Sequence, residues 1–494
     1  MPLLSKSTYL LGVQCPKLLW FRYNAKDQIP APDQEQQAVF DQGKEVGNLA
    51  KRLFPGGLEI ECDHSDYDQV LALSKHHLSQ RTPLFEAGFT HNGGFARVDI
   101  LNPVGKSEWD IIEVKSTTKL KDVHLHDLAF QAYVLTGAGI QVRKCWLAHI
   151  NPDFVRRGDI DPQQFFTLKD VTKEASELSR AVEESLGAMF KTIGLAAHPG
   201  IQIGPHCDDP YTCPLHERCW SFLPEASVFT LYRGGKKSFA LLKRGIRGLA
   251  NIPDDFKLTA NQEIQRTTLL TGKPHVDRLA IAGFLKQLEN PASYLDFETF
   301  GTAIPLFDGT RPFQQVPFQF SLHVVRAENG EPEHRQFLAE GTADPRPEFM
   351  RRLRDALPET GSVVTYNAAF EKSRLQECCD LLPEFKPWFR GVEPRVVDLL
   401  LPFRGFRYYH PQQHGSASMK AVLPALTGKG YENLSIQEGG TASREFLRVA
   451  YGQVTDGERR RVRQHLEEYC GQDTMGMVQI VNYLRSLLVE RLNN

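Results

Sequence analysis

The chain has 494 residues, 41% hydrophobic and 24% charged, with 58 Lys and Arg against 60 Asp and Glu. That composition predicts a soluble globular protein with room for two or three domains, and the net charge of −2 argues against nonspecific coating of nucleic acid while leaving room for local basic tracks. No run approaches the roughly 20 apolar residues of a membrane span, and the opening MPLLSKSTYLLGVQCPKLLW lacks a long apolar core, so the expectation is a cytoplasmic protein with no membrane contact.

Residues 95–101 and 109–114 predict two β-strands around a turn at 102–107, the pattern of a hairpin. Side chains alternate along a strand, so Glu113 and Lys115 share a face, and Asp99 on the first strand can join them. Two carboxylates suit a hard cation such as Mg²⁺ or Mn²⁺, and an ammonium beside them can orient a metal-acidified water for phosphodiester hydrolysis. An E-x-K triplet also occurs as a plain ion pair, and the context decides: Ile111, Ile112 and Val114 make this a buried strand, where an unpaired charge is costly. A helix predicted over 125–135 follows, with Gln131 and Tyr133.

In this order the segment resembles the PD-(D/E)xK nucleases of the RecB and Cas4 type. The resemblance covers residues 1–222 and implies a restriction-endonuclease-like α/β domain. Asp99 and Glu113 would be metal ligands, Lys115 and Gln131 catalytic, and Tyr133 a contact to nucleic acid. Many relatives carry a histidine after a G-x-x-V helix start; here residues 43–47 end in Gly47, and Glu86 is either a replacement ligand or a strand-end charge.

Of nine cysteines, Cys62, Cys145 and Cys470 look like scattered thiols, and Cys378 and Cys379 fit an apolar helix. Cys207, Cys213 and Cys219 are evenly spaced in GPHCDDPYTCPLHERCW, and Cys15 can supply a fourth thiolate. In a cytosolic protein such a set favours a metal over disulfides, and its loose spacing is compatible with an iron–sulfur cluster, with zinc as the alternative. One distant cysteine plus three after the core is similar to the arrangement in Cas4-like and AddB-like nucleases, which implies a [4Fe–4S] cluster.

Residues 223–290 predict a mostly helical connector, with a helix over 238–249 flanked by basic residues that include Lys243 and Arg244. These two are candidates to meet backbone phosphate, the alternative being a basic solvated helix.

Residues 291–494 begin with PASYLDFETF, whose predicted strand 294–300 puts Asp296 and Glu298 on one face. Further strands are predicted at 316–325 and 363–366 between helices, an α/β pattern. Asn367, Phe370 and Glu371 follow as strand passes into helix, and Tyr469 and Asp473 lie one helical turn apart. This set resembles the DEDD exonucleases of RNase H-like fold, in the branch with a tyrosine. The resemblance implies Asp296, Glu298, Glu371 and Asp473 as ligands of two Mg²⁺ or Mn²⁺ ions, Tyr469 as the residue that positions water, and Asp398 as a supporting or alternative ligand. Glu371 departs from the usual aspartate by one methylene. Lys420, in an S-x-K-x-V stretch, either meets nucleic acid or is a plain exposed lysine.

The two halves together resemble a bacterial family known as a domain of unknown function, DUF2779. The expectation is a metal-dependent nuclease with two acidic centres acting on DNA in preference to RNA, its C-terminal half a 3′→5′ exonuclease. The rival is a nucleic-acid-binding or scaffold protein in which one or both centres have decayed. G-x-x-x-x-G-K-[ST] is absent, so ATP-driven translocation would need a helicase or another repair or defence partner.

Overall fold

A computed structural model describes residues 3–63 and 66–489. It is a mixed α/β protein with no helix long and apolar enough to cross a membrane among the described residues. The chain divides into two compact units, Met1–Phe222 with Thr302–Gln314, and Leu223–Gly301 with Gln315–Asn494.

The first unit is built on a sheet of seven strands: β1 (Leu4–Ser5), β2 (Leu58–Glu59), β3 (Leu84–His91), β4 (Gly94–Val104), β5 (Glu108–Lys115), β6 (Gln141–Ile150) and β7 (Phe166–Asp170). The order is β2-β3-β4-β5-β6-β7, with β1 alongside β4. Asn92 and Gly93, both at positive φ, make the two-residue turn that joins β3 to β4 in the conformation Asn-Gly favours. The next turn is shorter than its sequence suggests: Val104 pairs with Glu108, so β4 continues through Asn102 and Pro103. Alternation along β5 sends Trp109 and Ile111 into one core and Ile112 into another. The helix Asp122–Gly137 crosses from β5 to its parallel neighbour β6 and buries Leu128, Phe130 and Leu135 with the first of these cores. Ala303, from the 302–314 segment, joins Val46, Phe85 and Ile112 in the second.

In the second unit, residues 223–290 carry the helices Lys236–Lys243, Ala260–Thr271 and Arg278–Leu285, and the short strand β8 (His275–Val276). The helix predicted to reach residue 249 stops at Lys243, because Arg244 caps it and Gly245 turns the chain with φ 77°. The main sheet contains β9 (Ala292–Phe300), β10 (Val316–Val325), β11 (Glu333–Leu338), β12 (Val363–Thr365) and β13 (Val396–Asp398) in the order β11-β10-β9-β12-β13. The first three are antiparallel neighbours; β12 and β13 run parallel to β9. β14 (Tyr408–Tyr409) pairs with β8. Every residue of β10 is buried, as expected of a central strand covered on both faces. The 34-residue helix Asp456–Val489 packs on β9 and β10 through Tyr469, Cys470, Asp473, Thr474 and Met477.

Candidate metal centres

In the first unit, Asp99 on β4, Glu113 and Lys115 on β5 and Gln131 on the crossover helix meet in one cluster. The Lys115 ammonium donates to Glu113 at 2.7 Å, and Gln131 Nε2 donates to the other oxygen of Glu113 at 2.7 Å. Asp99 accepts the Val114 backbone N–H at 2.9 Å, which fixes its carboxylate beside Glu113. Two residues that sequence reasoning missed complete the group. Asp127 accepts from Lys115 at 2.6 Å and from Gln131 at 2.8 Å. Lys6, at the start of the helix Lys6–Gln14, donates to Asp99 at 3.1 Å and to both oxygens of Glu113 at 2.9 Å. Burial alone would depress the pKa of Lys6, but Asp99, Glu113 and Asp127 hold it well above its ordinary value. The same balance of burial against Asp127 and Glu113 raises Lys115.

The donor set fits a divalent cation. Glu113, Asp127 and Gln131 are buried, and the side-chain oxygen of Gln131 is left without a hydrogen-bond partner beside the carboxylates. Glu86 reaches this neighbourhood from β3, where its backbone is held at φ 59°, a strained value for a non-glycine residue in a strand. Burial and then Asp99 push its carboxyl upward in pKa, and Arg97 pairs with it at 3.1 Å. A Cβ added at Gly47 would meet nothing within 4 Å, so the backbone there leaves room for a side chain that the sequence does not supply. Tyr133 lies on the crossover helix with its hydroxyl accepting from Asn92 at 2.9 Å.

Cys15, Cys207, Cys213 and Cys219 line one cavity. All four are free thiols, and the first three are 7% exposed. Burial pushes Cys213 up to about 11, and each of the other three adds to the shift. Cys15 is raised by burial and by Cys207 and Cys219.

In the second unit, Asp296 and Glu298 project from one face of β9, and Tyr469, Cys470 and Asp473 approach from the Asp456–Val489 helix. Donor atoms of Asp296, Glu298 and Cys470 lie within 4.8 Å of one another. Burial, then repulsion from Asp473, Glu298 and Glu371, raises Asp296 well above the carboxylate range. Glu298 is raised by burial and Asp473. Asp473 is pushed up to about 7 by burial, although the Tyr431 hydroxyl donates to it. Glu371 is 4% exposed, one of its oxygens has no partner, and burial followed by Asp398 pushes it up to about 8. Buried acids so crowded, with an unpaired oxygen among them, are a donor set short of a cation, so these residues fit a divalent ion.

Asp398 is committed to structure: one oxygen accepts the backbone N–H groups of Asn367 and Leu400, each at 3.0 Å. Asn367 begins the Ala368–Leu381 helix with φ 95°, which turns Glu371 inward. Lys420 is exposed, 5.6 Å above the Tyr469 ring and 5.9 Å from that of Tyr431, and its charge lowers both Glu298 and Asp473. Lys243 is exposed, and Arg244 pairs with Asp255 at 3.3 Å. Tyr431 and Cys470 are the members that sequence reasoning missed here. Cys470 is readable in retrospect from its three-residue spacing to Asp473, whereas Tyr431 stands 42 residues from its partner.

Three curated relatives cover about two fifths of this chain, and the chain spans about a third of their length. "Uncharacterized protein MG366" of Mycoplasma genitalium is 27% identical over 222 residues, 41% of this chain and 33% of the relative. "Uncharacterized protein MG366 homolog" of Mycoplasma pneumoniae is 26% identical over 228 residues, 42% and 34% respectively. "Uncharacterized protein UU173" of Ureaplasma parvum is 22% identical over 234 residues, 43% and 34%. The model of the family described as a domain of unknown function, DUF2779, matches residues 293–418, the stretch that carries Asp296, Glu298, Glu371 and Asp398.

Proposed function

We propose that this protein is a metal-dependent nuclease with two acidic centres, a PD-(D/E)xK type in the first unit and a DEDD type in the second, acting on DNA in preference to RNA. The observation that carries the reading is the crowd of carboxylates beside Tyr469, buried Glu298, Asp473 and Glu371 with half-buried Asp296 among them. The strand order β11-β10-β9-β12-β13, with the acids on the central strand and on a helix packed against it, supports an RNase H-like fold.

Asp296, Glu298, Asp473 and Glu371 would hold Mg²⁺ or Mn²⁺, which would supply charge to neutralise the phosphate and would acidify the attacking water. The chain's own residues position what reacts. Asp296 and Glu298 are fixed by the β9 ladder, and Tyr431 orients Asp473 through its hydroxyl. In this reading Tyr469 positions the water at the terminal phosphodiester, and exposed Lys420, 5.6 Å from the Tyr469 ring, draws the phosphate backbone toward the acids. In the first unit, Lys115 and Lys6 supply the positive charge that meets a bridging phosphate, and Gln131 holds Glu113 in place.

For the four cysteines we propose a [4Fe–4S] cluster; their common cavity and mutual influence support a shared ligand. The second reading, a binding protein with a decayed centre, is favoured in the first unit by the empty place at Gly47 and by Lys6, whose ammonium bridges Asp99 and Glu113.

The test is release of mononucleotides from 5′-labelled single- and double-stranded DNA and RNA, with Mn²⁺ and with EDTA, by protein carrying Lys115→Ala. A ladder shortening from the 3′ end and lost in Asp296→Ala is expected. No Asp296-dependent product with any substrate or metal would mean that the second unit only binds.

A further inference from the structure

The proposed two-metal chemistry uses oxygen ligands, yet a sulfur stands among them. Cys470 is fully buried, its Sγ lies 4.0 Å from the backbone oxygen of Asp296, and its donor atom falls within 4.8 Å of carboxylate oxygens of both Asp296 and Glu298. A buried thiol is most often inert packing. Two further observations set this one apart. Glu371, 4% exposed and with one carboxylate oxygen that has no hydrogen-bond partner, is near enough for its charge to raise Asp296, so a buried donor without a protein partner stands beside the cluster. Asp473 follows Cys470 by three residues and therefore lies on the same side of the helix, and its charge raises both Asp296 and Glu298.

From this we infer that the second unit's centre has two metal-binding modes: an all-oxygen mode for hard ions, and a mode in which Cys470 joins Asp296 and Glu298 to take a thiophilic divalent ion of the zinc class. The inference rests on the proposed metal centre and adds the discrimination between ions. Mg²⁺ prefers six oxygens in an octahedron and has little affinity for sulfur, so it leaves the thiol protonated. Zn²⁺ is content with four ligands and takes sulfur, nitrogen and oxygen together, so one thiolate and two or three carboxylates suit it. On binding it replaces the thiol proton, which leaves to the buffer. The consequence is a centre that runs on Mg²⁺ or Mn²⁺ and is arrested by zinc, because the tetrahedral site uses up Asp296, the residue the two hard ions would share.

Cadmium reports the sulfur bond directly, through a sulfur-to-metal charge-transfer band in the near ultraviolet. The full chain, without nucleic acid, is titrated with Cd²⁺ as wild type, Cys470→Ser and Asp296→Asn. Cys15, Cys207, Cys213 and Cys219 are common to all three, so the difference spectra isolate Cys470. Expected is a wild-type minus Cys470→Ser difference band, whose apparent affinity is weakened at least about tenfold in Asp296→Asn, with Mn²⁺ affinity nearly unchanged in Cys470→Ser. Equal bands in wild type and Cys470→Ser overturn the inference. Should Cys470→Ser not fold, a band in Asp296→Asn as strong and as tight as in wild type overturns it equally, since Asn is nearly isosteric with Asp. The outcome separates from that of the nuclease assay: cleavage with Mn²⁺ but no band removes the sulfur mode alone, and a band without cleavage leaves the metal site and removes the nuclease reading.

Discussion

At the scale of single residues, the two centres differ in how they handle buried charge. Asp99, Glu113 and Asp127 are balanced from within by Lys6 and Lys115, whereas Asp296, Glu298 and Asp473 face one another, and the cation that lowers Glu298 and Asp473 is the exposed Lys420. Opposite consequences follow in metal-free protein. Asp296→Asn removes an acid whose ionisation burial and its acidic neighbours oppose, so in EDTA it should stabilise the fold by about 1 to 2 kcal/mol and abolish the rise in melting temperature that Mn²⁺ gives the wild type. Thermal unfolding with and without Mn²⁺ reads both effects, and an Asp296→Asn protein that still gains the full Mn²⁺ shift would remove Asp296 from the ligand set. Lys6→Met, by contrast, strips two carboxylates of their partner. Its ammonium is about a quarter exposed, so the cost in EDTA should be about 2 to 3 kcal/mol, below that of breaking a wholly buried pair. Mn²⁺ should recover more of that loss than the wild type gains, and a melting temperature unmoved by Lys6→Met would mean that the ion pair contributes nothing.

At the scale of elements, the Asp456–Val489 helix must keep one rotational setting against β9 and β10 for Asp473 to face Asp296. A polar chain, buried at Thr474, Ser321 and His323 and ending at exposed His334, sets it: Thr474 meets Ser321 at 2.7 Å and His323 at 2.8 Å, Ser321 meets His334 at 2.9 Å, and the two imidazoles stack 4.3 Å apart. Burial, and then His334, pushes His323 down to about 4 from an ordinary 6.5. The folded state thus resists protonation while the unfolded chain accepts it below about 6.5, so this contribution to stability is present at neutral pH and is lost as pH falls toward 4. The expected loss between pH 7 and pH 4.5 is about 1 to 2 kcal/mol. His323→Gln should flatten that slope in melting temperature, and a slope identical to that of the wild type would exclude His323 as its source.

At the scale of the whole molecule, Cys15 and Cys207, 192 positions apart, are brought to one shared cavity. If four thiolates hold [4Fe–4S] there, anaerobically purified protein should be brown with broad charge-transfer absorption. Cys213→Ala should lose the colour and, with it, several kcal/mol of stability, since metal binding is coupled to folding. Stoichiometric zinc without iron in the purified protein would sink the idea.

Much of both sites was legible in the chain because strands and helices repeat locally. A period of two aligned Glu113 with Lys115 and Asp296 with Glu298, and one helical turn joined Tyr469 to Asp473, whatever the rest of the fold did. Asp127 obeys the same rule, one turn before Gln131, and escaped notice because a lone aspartate in a helix carries no signal of its own. What no local period encodes is the meeting of distant segments. Lys6 reaches Asp99 across 93 positions, Tyr431 reaches Asp473 across 42, and residues 302–314 join the core of the first unit although the strand before them belongs to the second. The sequence alone determined which acids lie side by side on an element. Only the tertiary structure decided which of those acids are balanced by a lysine and which are left crowded, because that depends on burial and on charges brought in from elsewhere in the chain.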